Sequence, residues 1–211
     1  MEISRIVAGE YRCNNYVVSC NGKAILIDAS LEVDKLENVL KKNNATLEAV
    51  FITHSHFDHI LNLDKIIEKF NVSVYISESG KENVKDPHKN VSEITDSPFG
   101  IKHTDNFKVL RDGDCLEVLG GLKMKVIESK GHCDSSLCYI LGDVMFTGDT
   151  LFAGTYGRVD LWNSSSQDMA KSLAKIYNIE GITTYYPGHG YSYDSENMKK
   201  TIAHCFNYIN Y

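Results

Sequence analysis

Ala49-Val50-Phe51-Ile52-Thr53-His54-Ser55-His56-Phe57-Asp58-His59 is the stretch on which the reading of this chain turns. Its first four residues form a compact apolar run, the pattern of a buried strand, and the run ends in a polar, histidine-rich segment where a functional loop belongs. Four ligand-type side chains then fall within six residues. In extended backbone, residues two apart face the same way, so His54 and His56 can converge on one ion. Asp58 and His59 stand where the chain turns into a helix beginning near Ile60 and can address a neighbouring ion. The structural alternative for Asp58 is a helix N-cap. Imidazole and carboxylate together are donors for zinc and related divalent metals.

Three further segments repeat the arrangement. Lys130-Gly131-His132-Cys133-Asp134-Ser135-Ser136 offers His132 in a turn between predicted strands. Phe146-Thr147-Gly148-Asp149-Thr150 places Asp149 directly after an apolar strand, and Tyr186-Pro187-Gly188-His189-Gly190 places His189 after another. Each alone is an everyday turn sequence. Their weight lies in recurrence, because each ligand-type residue follows a strand, and loops of this kind concentrate functional groups. Together the segments supply His54, His56, Asp58, His59, His132, Asp149 and His189, enough for two ions sharing a carboxylate at about 3.5–4 Å separation. Such a pair lowers the pKa of bound water from 15.7 toward about 7, so hydrolysis needs no serine or cysteine nucleophile.

Around these segments the chain alternates strand and helix patterns. Ile3 to Val7, Tyr16 to Cys20 and Ala24 to Asp28 read as strands, the last two joined by an Asn21-Gly22 hairpin turn. Asp34 to Asn43 reads as a surface helix with Asp34 as N-cap, and Ile60, Leu63, Ile67 and Phe70 mark a second amphipathic helix. Val74 to Ile76 is a strand, after which Glu82 to Asn106 is polar and nearly pattern-free, the mark of a surface insertion or lid. Cys115 to Val118 with Leu122 to Ile127, and Leu137 to Leu141 with Val144 to Thr147, read as hairpins. Gln167 to Tyr177 is a helix, Thr183 to Tyr186 a strand, and Glu196 to Tyr208 a closing helix. Strand pairs alternating with helices predict an α/β protein of two sheets packed face to face with helices outside.

The 211 residues suffice for a core without disulfides or a structural metal, and they read as a single domain, 1–211. A net charge of −6 argues against nucleic acid and anionic membrane as partners. No apolar run approaches a membrane span. Met1-Glu2-Ile3-Ser4-Arg5 carries no secretory signal, and the six cysteines form no C-x-x-C pair, so reduced thiols and a cytoplasmic location are expected.

The four segments, in this order, resemble those of the metallo-β-lactamase superfamily. The chain is most similar to the glyoxalase II (hydroxyacylglutathione hydrolase) branch, especially its short single-domain members, from Asn15-Tyr16 and Ile27-Asp28 to Gly188-His189-Gly190. The resemblance implies a four-layer α/β/β/α sandwich. It implies that His54, His56 and His132 hold one metal, that Asp58, His59 and His189 hold the second, and that Asp149 bridges them. Zinc is the first expectation, with iron or manganese as alternatives. The implied activity is cleavage of a small-molecule thioester, such as S-lactoylglutathione or a related acyl thioester, by metal-bound hydroxide, with Asp58 also orienting the nucleophile.

Two substrate contacts are carried over with it: Arg158, in a Gly-Arg-x-Asp stretch whose alternative role is a salt bridge to Asp160, and Tyr191, at the offset of a glutathione-binding tyrosine. Cys133, beside His132, is read as a bystander, since seven ligands already complete a dinuclear set. One helix's length of sequence follows His189, so hydrolysis is better supported than lactoylglutathione as substrate. The same fold also accommodates a mononuclear-iron persulfide dioxygenase and hydrolases of other esters or lactones. The sequence leaves oligomeric state and the role of residues 82–106 open.

Overall fold

A computed structural model of the chain describes residues 1–209, with side chains through residue 206. The strands are β1 (Glu2–Ala8), β2 (Cys13–Cys20), β3 (Lys23–Ile27), β4 (Thr46–Phe51), β5 (Ser73–Ser77), β6 (Phe107–Leu110), β7 (Cys115–Val118), β8 (Leu122–Glu128), β9 (Leu137–Leu141), β10 (Val144–Gly148), β11 (Leu151–Phe152), β12 (Thr155–Tyr156), β13 (Thr184–Pro187) and β14 (Tyr193–Asp194). The helices are α1 (Val33–Lys42), α2 (Phe57–Ile60), α3 (Leu63–Phe70), α4 (Glu78–Asn83), α5 (Ser166–Tyr177) and α6 (Ser195–Ile209).

Two six-stranded sheets carry the fold. The first runs β1-β2-β3-β4-β5-β6 and the second β14-β13-β10-β9-β8-β7, while β11 and β12 form a small ribbon. Residue alternation on the strands sorts side chains between faces. On β3, Ala24 and Leu26 join Leu36 and Leu40 of α1 and Leu63, Ile66 and Ile67 of α3 in one core. Ile25 and Ile27 point the other way, into a second core with Tyr139 and Phe146 of the opposite sheet. A third core packs Cys138 and Met145 against Met169, Leu173 and Ile176 of α5 and Met198 and Ile202 of α6. Three apolar cores between successive layers make the four-layer α/β/β/α sandwich expected from the sequence. Among the described residues, no helix is long and apolar enough to cross a membrane.

Local departures from the sequence reading have identifiable causes. Helix α1 begins one residue before Asp34; Glu32 holds the N-cap position without a side-chain cap bond, and Asp34 sits in the first turn, where its charge suits the helix dipole. The single amphipathic helix expected from Ile60 onward is two helices, because Asn62 anchors the break: its N–H donates to Ala29 O at 2.9 Å and its Nδ2 to Ser30 O at 2.7 Å. Residues 82–106 are not a loose insertion. Val84, Val91 and Ile101 are buried, as is Asn90, whose Nδ2 donates to Val84 O and Phe99 O. Strand β6 follows directly.

Candidate metal centre and active site

The ligand-type residues lie where strands end. The chain leaves β4 through His54 and Ser55 to His56, whose backbone is extended, and enters α2, leaving Asp58 and His59 in that helix's first turn. His132 sits in the β8–β9 loop, Asp149 follows β10, and His189 follows β13, the parallel neighbour of β10. All seven side chains converge at one end of the sandwich. The ligand atoms of His54, His56 and His132 lie within 4.8 Å of one another, as do those of Asp58, His59 and His189. Asp149 stands between the sets. Its Oδ1 is 3.3 Å from His59 Nε2, and its Oδ2 is 3.6 Å from His132 Nε2 and 3.4 Å from His189 Nε2. Asp58 is not a cap; its Oδ2 is 3.2 Å from His189 Nε2.

Glycine makes this approach possible. A Cβ at Gly188 would come within 2.1 Å of Asp149 Oδ1 and 2.6 Å of His59 Cε1, so any side chain there displaces ligands. Hydrogen bonds tie the His189 loop to the first sheet: Asn14 N–H donates to Gly188 O at 2.7 Å, and Tyr16 Oη–H to Pro187 O at 2.6 Å.

Outer contacts select the imidazole tautomers. His59 Nδ1–H donates to Asp28 Oδ2 at 2.7 Å, and His132 Nδ1–H to the Arg158 carbonyl at 2.8 Å. Asp28 also accepts Thr53 N–H at 2.8 Å and the Thr53 hydroxyl at 2.9 Å, so Thr53 Oγ1, 3.1 Å from His54 Nδ1, is left to accept. With Nδ1 protonated, Nε2 carries the lone pair on each ring. The consequence is visible at the centre. His54, His56, His59 and His132 Nε2 and Asp149 Oδ1 are all buried without a hydrogen-bond partner. Unsatisfied buried polar atoms cost about 1–3 kcal/mol each, a heavy load for one small region unless a cation compensates them. The residues present therefore fit a divalent metal centre.

Electrostatics divide the two sets. Burial and the neighbouring histidines hold His54 well below the ordinary imidazole pKa, and burial chiefly brings His56 down to about 3. Burial also opposes charge on His59 and His189, but acidic neighbours outweigh it: His59 stands well above its ordinary value beside Cys13, Asp28, Asp149 and Asp58, and His189, bonded to Asp149 and Asp58, rises to about 9. The same contacts override burial at Asp58 and Asp149 and hold both carboxyls below the usual range.

A family model of the metallo-beta-lactamase superfamily matches residues 8–195. The chain belongs to that superfamily. This superfamily comprises metallo-hydrolases that bind divalent ions, often two. The member described here is 33% identical over 202 residues to hydroxyacylglutathione hydrolase 1 of Vibrio vulnificus, covering 93% of this chain and 70% of that protein. Its structure is similar to the BLEG-1 B3 metallo-beta-lactamase, with TM-score 0.86 and 27% identity over 94% of this chain and 97% of the other. It also resembles ETHE1 from Myxococcus xanthus, with TM-score 0.76 and 25% identity, covering 100% and 92% of the two chains. These likenesses bear out the superfamily and its glyoxalase II-like character.

Of the two expected substrate contacts, Arg158 lines a cleft of about 240 Å³ over the cluster, together with His56, Asp58, His132, Asp149 and His189. Its guanidinium is forked onto Asp160, Nε to Oδ1 at 2.7 Å and Nη2 to Oδ2 at 2.8 Å. Tyr191 is not among the cleft residues; it is 76% exposed, with the Arg5 guanidinium 5.0 Å from its ring centroid. Cys133 lies in none of the ligand groups, its Sγ 3.0 Å from Ser135 Oγ. The sequence reading missed the buried Cys13, which groups with Asp28 and His59, and Asp28's own role. Burial pushes the Cys13 thiol up to about 11, so it is neutral at pH 7. Asp28 carried a signal, since it too follows an apolar strand directly. Larger clefts, of about 370 and 390 Å³, gather no such convergent donors among the described residues.

Proposed function

We propose that this superfamily member is a dinuclear metal-dependent thioesterase. In this reading His54, His56 and His132 hold one ion, Asp58, His59 and His189 the other, and Asp149 is shared. Zinc is the proposed metal, with iron and manganese compatible with the same donors. One observation carries the reading: five ligand-type atoms of the clustered side chains, the Nε2 of His54, His56, His59 and His132 and Oδ1 of Asp149, are buried without a hydrogen-bond partner. Bound divalent ions supply Lewis acidity, making water a nucleophile near neutral pH and offsetting negative charge on a carbonyl oxygen.

The chain's own groups do the rest. Asp58, with its side chain 15% exposed beside His189, faces the cleft and is placed to accept a hydrogen bond from the attacking water. Asp28, Thr53 and the Arg158 carbonyl hold the histidine rings in register, so little reorganisation accompanies reaction. Water adds to the thioester carbonyl carbon, the C–S bond breaks with its electron pair on sulfur, and a carboxylic acid and a thiol are released. The likeness to a hydroxyacylglutathione hydrolase supports a thioester as the substrate class.

A second reading, a persulfide dioxygenase with one iron, draws on the likeness to ETHE1 from Myxococcus xanthus, with TM-score 0.76 and 25% identity. Metal analysis with activity assays separates the two. Two metals per chain, turnover of acyl thioesters and no oxygen uptake are expected. One iron per chain, with oxygen uptake and sulfite formation from glutathione persulfide, overturns the thioesterase.

A further inference from the structure

Beyond its metal-directed residues, the cleft over the cluster is lined by Tyr11, Phe57, Val91, Ile94, Leu161 and Arg158. Five of these are apolar or aromatic. Ile94 and Tyr11 are 66% and 50% exposed, large apolar side chains standing in water beside a reactive centre. The one cation is occupied, since both forks of Arg158 are on Asp160. Among the described residues, and outside the proposed metal ligands, the cleft therefore offers apolar surface and no unpaired cationic side chain.

The wall is built, not incidental. Tyr11 packs edge-on against Phe57 with ring centroids 4.7 Å apart, and Phe57 N–H donates to Asn90 O at 2.9 Å, pinning residues 82–106 to the histidine loop. Asn90 Oδ1 accepts Ser92 N–H at 2.8 Å, so the Val91 turn is clamped from both sides. Val91 itself sits at φ 64, a left-handed conformation that β-branched residues rarely adopt and that persists only where the surroundings enforce it. The opposite wall is joined to it: the Trp162 ring centroid lies 5.9 Å from that of His88, and Lys89 Nζ is 5.8 Å from Trp162's. Two loops distant in sequence thus meet across the site.

We infer that this cleft is a specificity subsite for an apolar, uncharged substituent of the substrate, with Val91, Ile94 and Leu161 setting the preference. The inference rests on the thioesterase reading for the position of the reacting bond. A charged thiol such as glutathione finds no unpaired cation there, whereas an alkyl chain displaces water from apolar walls. The substituent can belong to the acyl or the thiol side, and the experiment varies each.

Metal-loaded full-length protein is assayed on acetyl, butyryl and hexanoyl thioesters of N-acetylcysteamine, and on hexanoyl and S-hexyl thioesters against the glutathione thioester. The expected kcat/KM rises about two- to fourfold per added methylene on the side that occupies the cleft, the yield of burying one methylene. Ile94→Glu abolishes that dependence, with folding checked by the thermal melt. A flat series, or a tenfold preference for the glutathione thioester, overturns the subsite while leaving the thioesterase intact. Calorimetry with S-hexyl and S-methyl N-acetylcysteamine, which are not hydrolysed, reads the subsite without turnover. Tighter S-hexyl binding with no thioester cleaved keeps the subsite and overturns the thioesterase.

Discussion

Asp28→Asn isolates what the carboxylate behind His59 does. Asp28 is 1% exposed and sits at φ 60, a conformation asparagine adopts readily, so the backbone has no reason to move. The native carboxylate accepts from His59 Nδ1 at 2.7 Å, from Thr53 N at 2.8 Å and from Thr53 Oγ1 at 2.9 Å. Asparagine has one acceptor oxygen and one donor nitrogen in the same place. If the nitrogen faces His59, the imidazole must move its proton to Nε2 and lose the lone pair proposed to bind metal; if it faces Thr53, it meets the backbone N–H donor. Either arrangement forfeits one charge-assisted bond, about 1.5–3 kcal/mol, which at about 1.4 kcal/mol per decade is a loss of roughly 10–100-fold in affinity. The loss falls on the ion beside His59 and Asp58 more than on the one beside His132. Competition with a chromophoric zinc chelator, alongside metal per chain and near-UV circular dichroism, measures it. Two ions held within twofold of the wild-type affinities, in a natively folded variant, refute the positioning role.

Asp149→Ala removes the one carboxylate between the two ligand sets and is expected to lower metal content below two per chain and kcat by several orders of magnitude; full metal content at full rate removes it from the centre. Gly188→Ala, whose new methyl would sit 2.1 Å from Asp149 Oδ1 in the unrelaxed backbone, is expected to cost metal affinity while the far-UV spectrum stays native, and unchanged metal binding contradicts the close approach. Metal binding is expected to release protons below pH about 9, because His189 is protonated there in the metal-free protein and must give up that proton to bind as a neutral imidazole. His59, whose pKa is also raised, must give up a proton too, so affinity for the second ion falls by up to tenfold per pH unit for each of the two protons below about pH 9, while binding at His54 and His56, whose pKa values are lowered, changes less. Calorimetry in buffers of different ionisation enthalpy counts the protons, and zero release at pH 7 sinks this account.

The sequence reached furthest where periodicity and chemistry reinforced each other. The buried run Val50 to Ile52 ending in His54-Ser55-His56 could be read as strand, loop and ligands because a two-residue spacing fixes which side chains share a face. Asp149 and His189 needed the recurrence of strand followed by ligand, since Gly-Asp and Gly-His turns are ordinary one at a time. What escaped depends on partners far along the chain. The split between α2 and α3 rests on Asn62 bonding to Ala29 and Ser30, and the order in residues 82–106 draws on the buried amide of Asn90. Neither contact has a local spacing. Cys13 lies near His59 through sheet geometry alone, and Arg158 contributes a carbonyl oxygen to His132, a role its side chain does not advertise.

The division of donors between the sheets also bears on how the protein matures. His54, His56, Asp58 and His59 leave the first sheet, whereas His132, Asp149 and His189 leave the second. Neither proposed triad is complete within one half, for each takes its third ligand from the later-synthesised half. A nascent chain that has folded only its first sheet can offer metal no more than a partial, weak grip. On the proposed ligand assignment, tight capture waits until both halves have docked, and bound ions would act as a clasp that reports finished assembly and resists the sheets parting again.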